Sequence, residues 1–479
     1  MAKRVLLINP KPNRSATKVS SYFPTGLAYI SSYLRSKDLA VAIMDLSKVP
    51  DTSISERLGS GFKEFMPDIV GIGCLFSVYF PGVVNIARLA KRIDKNIPIC
   101  IGGLHPTLFH RNILSSNGDI DYVILGEGER SFYDLIRALK GQIDKKDVDG
   151  LAYRMGQEVM ANEKKYYIDD LDNLPFPDFE RFDMDNYFYH YRYSPDNRGM
   201  SIITSRSCPN RCSFCSMFHA HGPRWRSRSA ENVLDEIQFL YEKYKVRHLQ
   251  FMDDNMTFNK ERSIDIFRKI VERGLKVTID FPNGLSVNTL DDDIIFWMKK
   301  AGCIEVRLAV ESGSVYMRNH IMRKRLSDEK IFEVIEACNK HRIAIVVFFV
   351  LGMPGENNQT VADNMSFVKK LKGNRGVDFI SPNYATPFPG TDLFETCMKD
   401  ELINRDTVQS IIDGSISLYD RPIIKLKDLS EKELIDFRNR LWRVSSVNNL
   451  PRIAMRYLKP TKANYRLIST FFKRFFIGY

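Results

Sequence analysis

The sequence predicts an α/β protein in three parts. A doubly wound, flavodoxin-like parallel sheet comes first, then a partial (β/α)6 barrel of TIM type, then a helical C-terminal region. Three observations predict this. Strand and helix signals alternate over residues 1–140, a Pro-punctuated polar stretch interrupts them over 141–197, and the alternation resumes over 198–400. Alternation of this kind indicates parallel strands covered by helices. Residues 401–479 form the remaining, helical and basic, region.

Within the first domain, "RVLLINP" (Arg4–Pro10) is an apolar run that ends at a turn. "TGLAYISSYLRSKD" has helical periodicity, and "AVAIMDL" and "DIVGIGCLF" read as the next two strands. "VVNIARLAKRID" is a helix, "PICIGGLHPT" a strand running into a Gly-Gly turn, and "DYVILGEGER" with "SFYDLIRAL" a last strand and helix. Ligands of such sheets sit at the carboxyl ends of the strands. Those ends carry Asn9-Pro10, Ser77, Gly102-Gly103-Leu104-His105 and Gly126-Glu127-Gly128-Glu129.

Between the domains, "YRMGQEVMANEKKYYI" reads as a hairpin and "DLDNLPFPDFERFD" as a linker. Six further strands follow: "MSIITSRSC", "RHLQFMDDN", "VTIDFPNG", "IEVRLAVESGS", "IAIVVFFVLGMPGEN" and "DFISPNYATPFPG". Amphipathic helical stretches separate them, as in a barrel whose active site lies at the carboxyl-terminal strand ends. There is no internal repeat at solenoid periods.

The chain has 479 residues, 44% hydrophobic and 27% charged, an ordinary globular composition. No apolar run reaches the roughly 18 residues that span a bilayer, and the N-terminus has no secretory h-region. A cytoplasmic, reducing location is expected, where clustered cysteines bind metal or do redox chemistry rather than form disulfides.

Eight cysteines are present, and three of them, Cys208, Cys212 and Cys215, crowd the loop "SRSCPNRCSFCSMFHAHG" after the first barrel strand. Cys74, Cys100, Cys303, Cys338 and Cys397 stand singly in or beside apolar segments and read as core residues. Two metal readings apply to the trio. His219 or His221 could complete a zinc site. Alternatively, three thiolates hold a four-iron cubane that keeps one iron open to a ligand.

Cys-x-x-x-Cys-x-x-Cys at this place resembles the radical S-adenosylmethionine superfamily, and Phe214 before the last cysteine matches its pattern. The resemblance implies that Cys208, Cys212 and Cys215 hold a 4Fe–4S cluster whose open iron chelates S-adenosylmethionine for one-electron cleavage to a 5′-deoxyadenosyl radical. It places Asp253 and Asp254 of "FMDDN" near the methionine amino group. Glu311 and Ser312 of "AVESGS" fall near ribose and carboxylate. Gly352, Pro354 and Gly355 of "VLGMPGEN", with Pro387 of "TPFPGT", fall beside adenine. A one-electron reductant such as flavodoxin or ferredoxin is implied as well.

The first domain resembles the cobalamin-binding domains of the family that includes the anaerobic magnesium-protoporphyrin ester cyclases and many C- and P-methyltransferases. That implies cobalamin contacts at Ser77, Gly102, Gly103, Gly126 and Glu127. The loop after the first strand, "NPKPNRSATKVS", has no histidine to serve as a lower cobalt ligand, and His105 lies in a different loop. The family resemblance implies methylation of an unactivated carbon in a small hydrophobic or biosynthetic intermediate. The alternative within the family is a radical cyclase or oxidase acting on a tetrapyrrole- or lipid-like molecule. From another class, a non-catalytic cobalamin- or metal-binding protein remains open.

The net charge of +12 draws on the tail, since Pro451–Tyr479 has seven Lys or Arg and no Asp or Glu. A helical cap, contact with the inner face of a membrane, or a grip on RNA each fit a basic aromatic stretch. The transfer-RNA methylthiotransferases carry a second cysteine trio in the first domain, where this chain has only Cys74 and Cys100, so nucleic acid is not expected as a partner.

Overall fold

A computed structural model of the chain describes residues 4–13, 23–187, 189–191, 194–373, 376–415 and 421–447. The first sheet begins with β1 (Arg4–Asn9), α1 (Thr25–Arg35), β2 (Ala40–Asp45), α2 (Ile54–Phe65) and β3 (Ile69–Gly73). It continues through α3 (Phe80–Ile93), β4 (Ile99–Gly102), α4 (Leu104–Ser116), β5 (Tyr122–Ile124) and α5 (Glu129–Leu139). These five strands are parallel in the order β2-β1-β3-β4-β5. That is the flavodoxin-like order, with its switch point between β1 and β3.

The continuous apolar run of β1 reflects burial on both faces. Val5 and Leu7 face a core built with Leu27 and Leu34 of α1 and Phe132, Leu135 and Ile136 of α5. Leu6 and Ile8 face the other core, with Leu58 of α2, Val83 and Ile86 of α3, and Phe109 and Ile113 of α4. The sequence reading missed α2, and it ended the β4 segment in a turn where α4 begins.

The hairpin β6 (Leu151–Met155) and β7 (Glu158–Ala161) is present, with Gly156 in the left-handed region at φ +64°. It does not belong to a linker, however. β6 pairs antiparallel with β5, so the hairpin extends the first sheet. The connector after it is strapped down too. Buried Asp178 accepts from Ser31 Oγ at 2.7 Å and from Arg35 at 3.1 Å, both on α1. Phe179, Phe182 and Tyr187 surround Phe23 with ring centroids 5.0–5.4 Å away.

β8 (Tyr189–Tyr191) and β9 (Ser194–Ile202) follow. Two-residue strands β10 (Ser205–Arg206) and β11 (Arg226–Ser227) bracket α6 (Met217–His221) and the cysteines. Then come α7 (Ala230–Lys243), β12 (Val246–Phe251), α8 (Lys260–Glu272), β13 (Thr278–Asp280) and α9 (Asp292–Lys300). β14 (Glu305–Glu311), α10 (Asp328–Lys340), β15 (Ala344–Leu351), α11 (Asn358–Gly373) and β16 (Phe379–Tyr384) complete the alternation. The last helices are α12 (Asp392–Lys399), α13 (Arg405–Ile412) and α14 (Glu431–Val447).

The six expected barrel strands neighbour one another in chain order. β9 pairs with β12 and β12 with β13, while β14 pairs with β15 and β15 with β16, all parallel. Parallel bridges Ile279↔Cys303 and Leu285↔Leu308 join the two groups. Sequential neighbours in one direction make the arc of a β/α barrel. Side-chain caps start several of its helices: Asn259, Asp291 and Ser327 each accept from a backbone N–H three residues on, worth about 1 kcal/mol apiece. On α14, Leu434, Phe437 and Leu441 are buried at helical spacing.

The compact units do not follow the expected boundaries at 140, 197 and 400. One unit comprises Met1–Tyr187, Thr204–Asn232 and Ala385–Lys425, and the other Phe188–Ile203, Val233–Tyr384 and Leu426–Tyr479. The cysteine loop therefore groups with the first sheet rather than with the barrel strand it follows. Pro387 groups with the first sheet as well. Among the described residues no helix is long and apolar enough to cross a membrane. The basic tail Pro451–Tyr479 lies outside the described residues.

Candidate functional site

In the first unit, the strand ends nearest the switch point are those of β1 and β3. Asn9 closes β1 but its amide is engaged, donating to Asp45 at 2.9 Å and to the Tyr187 hydroxyl at 3.1 Å. Beyond β3, Leu75 and Phe76 are exposed while Ser77 is buried. Ser77 Oγ lies 2.9 Å from Nδ1 of His105, the second residue of α4. His105 is only 2% exposed, between the rings of Phe80 and Phe109, and burial pulls its pKa down to about 3. The imidazole is therefore neutral.

The two glycines after β4 differ. Gly103 stands at φ +122°, and a Cβ there would drive into the carbonyl oxygen of Cys74. It is needed for the close approach of the β3 and β4 ends. At Gly102 a Cβ would meet nothing nearer than the Ile124 carbonyl oxygen at 3.8 Å. Of the pair, Gly102 has the room to lie against a ligand.

After β5, Gly126 is at φ +65°, and a Cβ there would face the carbonyls of Ala220 at 3.2 Å and His219 at 3.5 Å. Glu127, expected from the resemblance to touch cobalamin, is instead engaged inside the protein. Its carboxylate takes Arg226 at 2.7 and 3.1 Å and Arg206 at 3.3 Å, and accepts from the Ile168 N–H at 3.0 Å. Burial works to raise its pKa, but the two guanidiniums outweigh it and hold the carboxyl at about 2. Glu129 takes Arg206 at 2.6 Å.

Those arginines frame the cysteine loop, because β10 and β11 pair antiparallel with Arg206 opposite Arg226. Ser207, at φ +72°, donates from Oγ to the Gly222 carbonyl at 2.6 Å and narrows the neck. Ser213 accepts through its carbonyl from Leu393 N–H at the start of α12. His219 donates from Nε2 to the Gly390 carbonyl at 3.1 Å, and only glycine fits at 390, where φ is +78° and a Cβ would enter that imidazole. Phe214 and the three cysteines are half-buried, and none of the cysteines is in a disulfide.

This loop suits a cluster better than a zinc ion. Nε2 of His219 is already engaged, and among the described residues no group of three or more His, Cys, Asp or Glu is gathered to hold a single metal ion. A cubane spreads its thiolates over separate irons, so its ligands need not converge as those of one tetrahedral ion must. Three free, half-buried thiols on one polar loop are the donor set that such a cluster takes.

In the second unit, the predicted residues stand at successive strand ends. Asp253 is buried and Asp254 half-buried directly after β12. Glu311 ends β14 at φ +69°, where the pairing with β15 shifts register. Lys324 holds its carboxylate at 3.2 Å. Ser312 Oγ donates to Asn364 Oδ1 at 3.1 Å, the same oxygen that accepts from Gly313 N–H at 2.6 Å. After β15, Gly352 and Gly355 are at φ +82° and +93°, flanking Pro354. The Gly352 N–H donates to Glu356 at 2.6 Å.

Residues 202–368 match the radical SAM superfamily and residues 16–136 the B12 binding domain. An uncharacterized methyltransferase of Pyrococcus horikoshii is 30% identical over 453 residues, 89% of this chain and 95% of that one. The chain belongs to the B12-binding radical SAM enzymes. Membership brings a 4Fe–4S cluster, S-adenosylmethionine, cobalamin and an external one-electron reductant. An anaerobic magnesium-protoporphyrin IX monomethyl ester cyclase of Rubrivivax gelatinosus is 25% identical over 90% of this chain and 75% of its own. The fold matches the radical S-adenosylmethionine methyltransferase TsrM of Kitasatospora setae, solved with cobalamin and a 4Fe–4S cluster. The TM-score is 0.68 at 18% identity, over 84% of this chain and 75% of that one.

What the sequence reading of this radical SAM enzyme missed are the side chains that hold the predicted residues within each unit. Arg206, Arg226 and Glu129 fix the cysteine loop, while Arg318, donating to the Ser312 carbonyl at 2.9 Å, and Asn364 fix the Glu311–Ser314 turn. One signal was visible. The turn after β5 carries two carboxylates in "GEGE", and a turn by itself needs none.

Proposed function

We propose that this radical SAM enzyme methylates an unactivated carbon of a small, hydrophobic or biosynthetic-intermediate substrate. The observation that carries the reading is that a B12-binding sheet and the three-cysteine loop belong to one compact unit. Near-complete coverage of a relative named as a methyltransferase supports it. When bound, the cluster and S-adenosylmethionine supply a hydrogen-abstracting radical, and cobalamin carries the methyl group.

The chain's own residues bind and orient. Cys208, Cys212 and Cys215 hold the cluster. The resemblance assigns Asp253 and Asp254 to the methionine amino group, Glu311 and Ser312 to the ribose and carboxylate, and Phe214, Gly352, Pro354, Gly355 and Pro387 to the adenosyl moiety. The resemblance assigns Ser77, Gly102, Gly103, Gly126 and Glu127 to the cobalamin face; of these, Gly102 has room for direct contact, and the Glu127 carboxylate is already engaged by Arg206 and Arg226. No acid or base is needed for hydrogen abstraction; alignment within about 3–3.5 Å is.

Anaerobic reconstitution with iron, sulfide and hydroxocobalamin, then reductant and S-adenosylmethionine, tests the reading. Both 5′-deoxyadenosine and S-adenosylhomocysteine are expected. Deoxyadenosine alone favours the cyclase-type reading that the Rubrivivax relative supports, and neither product from a cluster-loaded protein favours a binding protein. The basic tail suits an anionic membrane surface on the cytoplasmic side. Co-sedimentation with phosphatidylserine vesicles, lost on deleting Pro451–Tyr479, is the expected outcome.

A further inference from the structure

Two arginines face each other at the base of the cysteine loop. Arg206 on β10 is the antiparallel partner of Arg226 on β11, and like charges directly opposite one another destabilise a strand pair. Both guanidiniums are buried, at 7% exposure each. Left alone, this pair would push the neck of the loop apart.

Glu127 resolves the conflict. It is 6% exposed and reaches both arginines at once, Arg226 in a two-point fork and Arg206 at 3.3 Å. Glu129 neutralises the second charge through Arg206 at 2.6 Å. Two carboxylates and two guanidiniums thus balance in a buried set. Arg226 is further fixed by the carbonyls of Ile168, at 2.6 Å, and His221. Fork geometry of this kind gives direction as well as strength.

The position of the clamp gives it significance. Glu127 sits in the turn after β5 and Glu129 opens α5, both at the ligand end of the B12-binding sheet. The cysteines sit on the loop whose two strands the clamp closes. Gly126, one residue before, presses the same turn against α6 of that loop, beside the carbonyls of His219 and Ala220.

We propose that Glu127 is a positioning residue. It locks the cluster-bearing loop onto the strand-end turn of the cobalamin sheet, and so sets where the cluster stands with respect to cobalamin. The proposal rests on the reading of Cys208, Cys212 and Cys215 as cluster ligands.

The test uses the full-length protein, reconstituted anaerobically with iron, sulfide and hydroxocobalamin. In Glu127→Gln, iron content and cobalamin affinity are expected to stay at the wild-type level, because the carboxylate is already engaged by Arg206 and Arg226. The magnetic broadening of the cob(II)alamin EPR signal by the reduced cluster is expected to change, since their separation is no longer fixed. Turnover is expected to fall roughly tenfold to a hundredfold, the scale of an ångström-sized misplacement.

Arg226→Met in the Glu127→Gln background removes one of the two opposed charges. Glu127→Gln is expected to lower unfolding stability by leaving the opposed guanidiniums short of a counter-charge, and the second change to recover part of that loss, a non-additive pair. If Glu127→Gln does not fold, Arg226→Lys, which keeps the charge and loses the fork, takes its place with the same EPR outcome. Unchanged broadening in a folded variant overturns the proposal. So does a selective loss of cobalamin affinity, which would make Glu127 a direct contact. Cys212→Ala keeps the two readings apart. Iron retained in that variant defeats the cysteine assignment, whereas iron lost there with unaltered coupling in the clamp variants defeats only the clamp.

Discussion

Arg318 donates from one terminal nitrogen to the carbonyl oxygen of Ser312 at 2.9 Å, from a side chain with no solvent exposure at all. The same guanidinium donates to the Leu326 carbonyl at 2.9 Å and pairs with Asp328. It buttresses the turn in which Glu311, a residue with a Cβ, is held in the left-handed region. Such backbone strain persists only where surroundings over-determine it.

Replacing Arg318 by Met should therefore do two things. It leaves two carbonyls without their donor and partly exposed Asp328 without its partner, a loss of about 1–3 kcal/mol for orphaned buried acceptors, read by denaturant unfolding. It should also weaken S-adenosylmethionine binding, measured by equilibrium dialysis on reconstituted protein. Arg318→Lys should rescue little, because an ammonium cannot serve three acceptors in a plane.

Cys212→Ala should abolish the cluster absorbance and most of the bound iron. Cys338→Ala should leave both intact. Cys338 is fully buried on α10, and burial pushes its thiol up to about 12, so it stays protonated and unsuited to iron. Equal behaviour of the two variants would contradict the loop assignment.

The adjacent glycines after β4 separate fold from ligand. Gly103→Ala should destabilise the protein by about 1–3 kcal/mol, because its φ and the nearby Cys74 carbonyl exclude a methyl group. Gly102→Ala should leave the unfolding midpoint unchanged and reduce cobalamin affinity, if cobalamin lies over it. Titration of both variants with hydroxocobalamin decides this.

Glu356 supplies a pH signature. Burial raises its pKa from the usual 4.5 to about 7, against the lowering effect of the Gly352 N–H. The folded protein thus holds a proton that the unfolded chain releases near pH 4.5, so this group makes stability fall as pH rises from about 4.5 to 7. Glu356→Gln should flatten that decline and be more stable than wild type at pH 8. Unfolding curves at pH 5 and pH 8 for both proteins provide the check.

How far the sequence could be read depends on the range of the forces involved. Strand and helix periodicity is local, so the buried run Val5–Ile8 announced a parallel strand, and the six later runs announced the barrel arc. The cysteine spacing was legible for the same reason: one loop, one short stretch. The helix α2 escaped notice because two glycines, Gly59 and Gly61, blur its signal. The hairpin's attachment to β5 was hidden because a hairpin states its own pairing and not its neighbour's.

By itself, then, the sequence determined two parallel α/β layers in series, three thiols on one loop, and glycines at the strand ends. All of these are written in spacings of a few residues. Only the tertiary structure decided what the charged residues do. Glu127 meets Arg226 across 99 positions of chain, and Glu129 meets Arg206 across 77. Nothing in local pattern names such a partner, because the burial that makes an ion pair obligatory exists only once the chain has closed around it. For that reason the carboxylate expected to face cobalamin was found holding the cysteine loop.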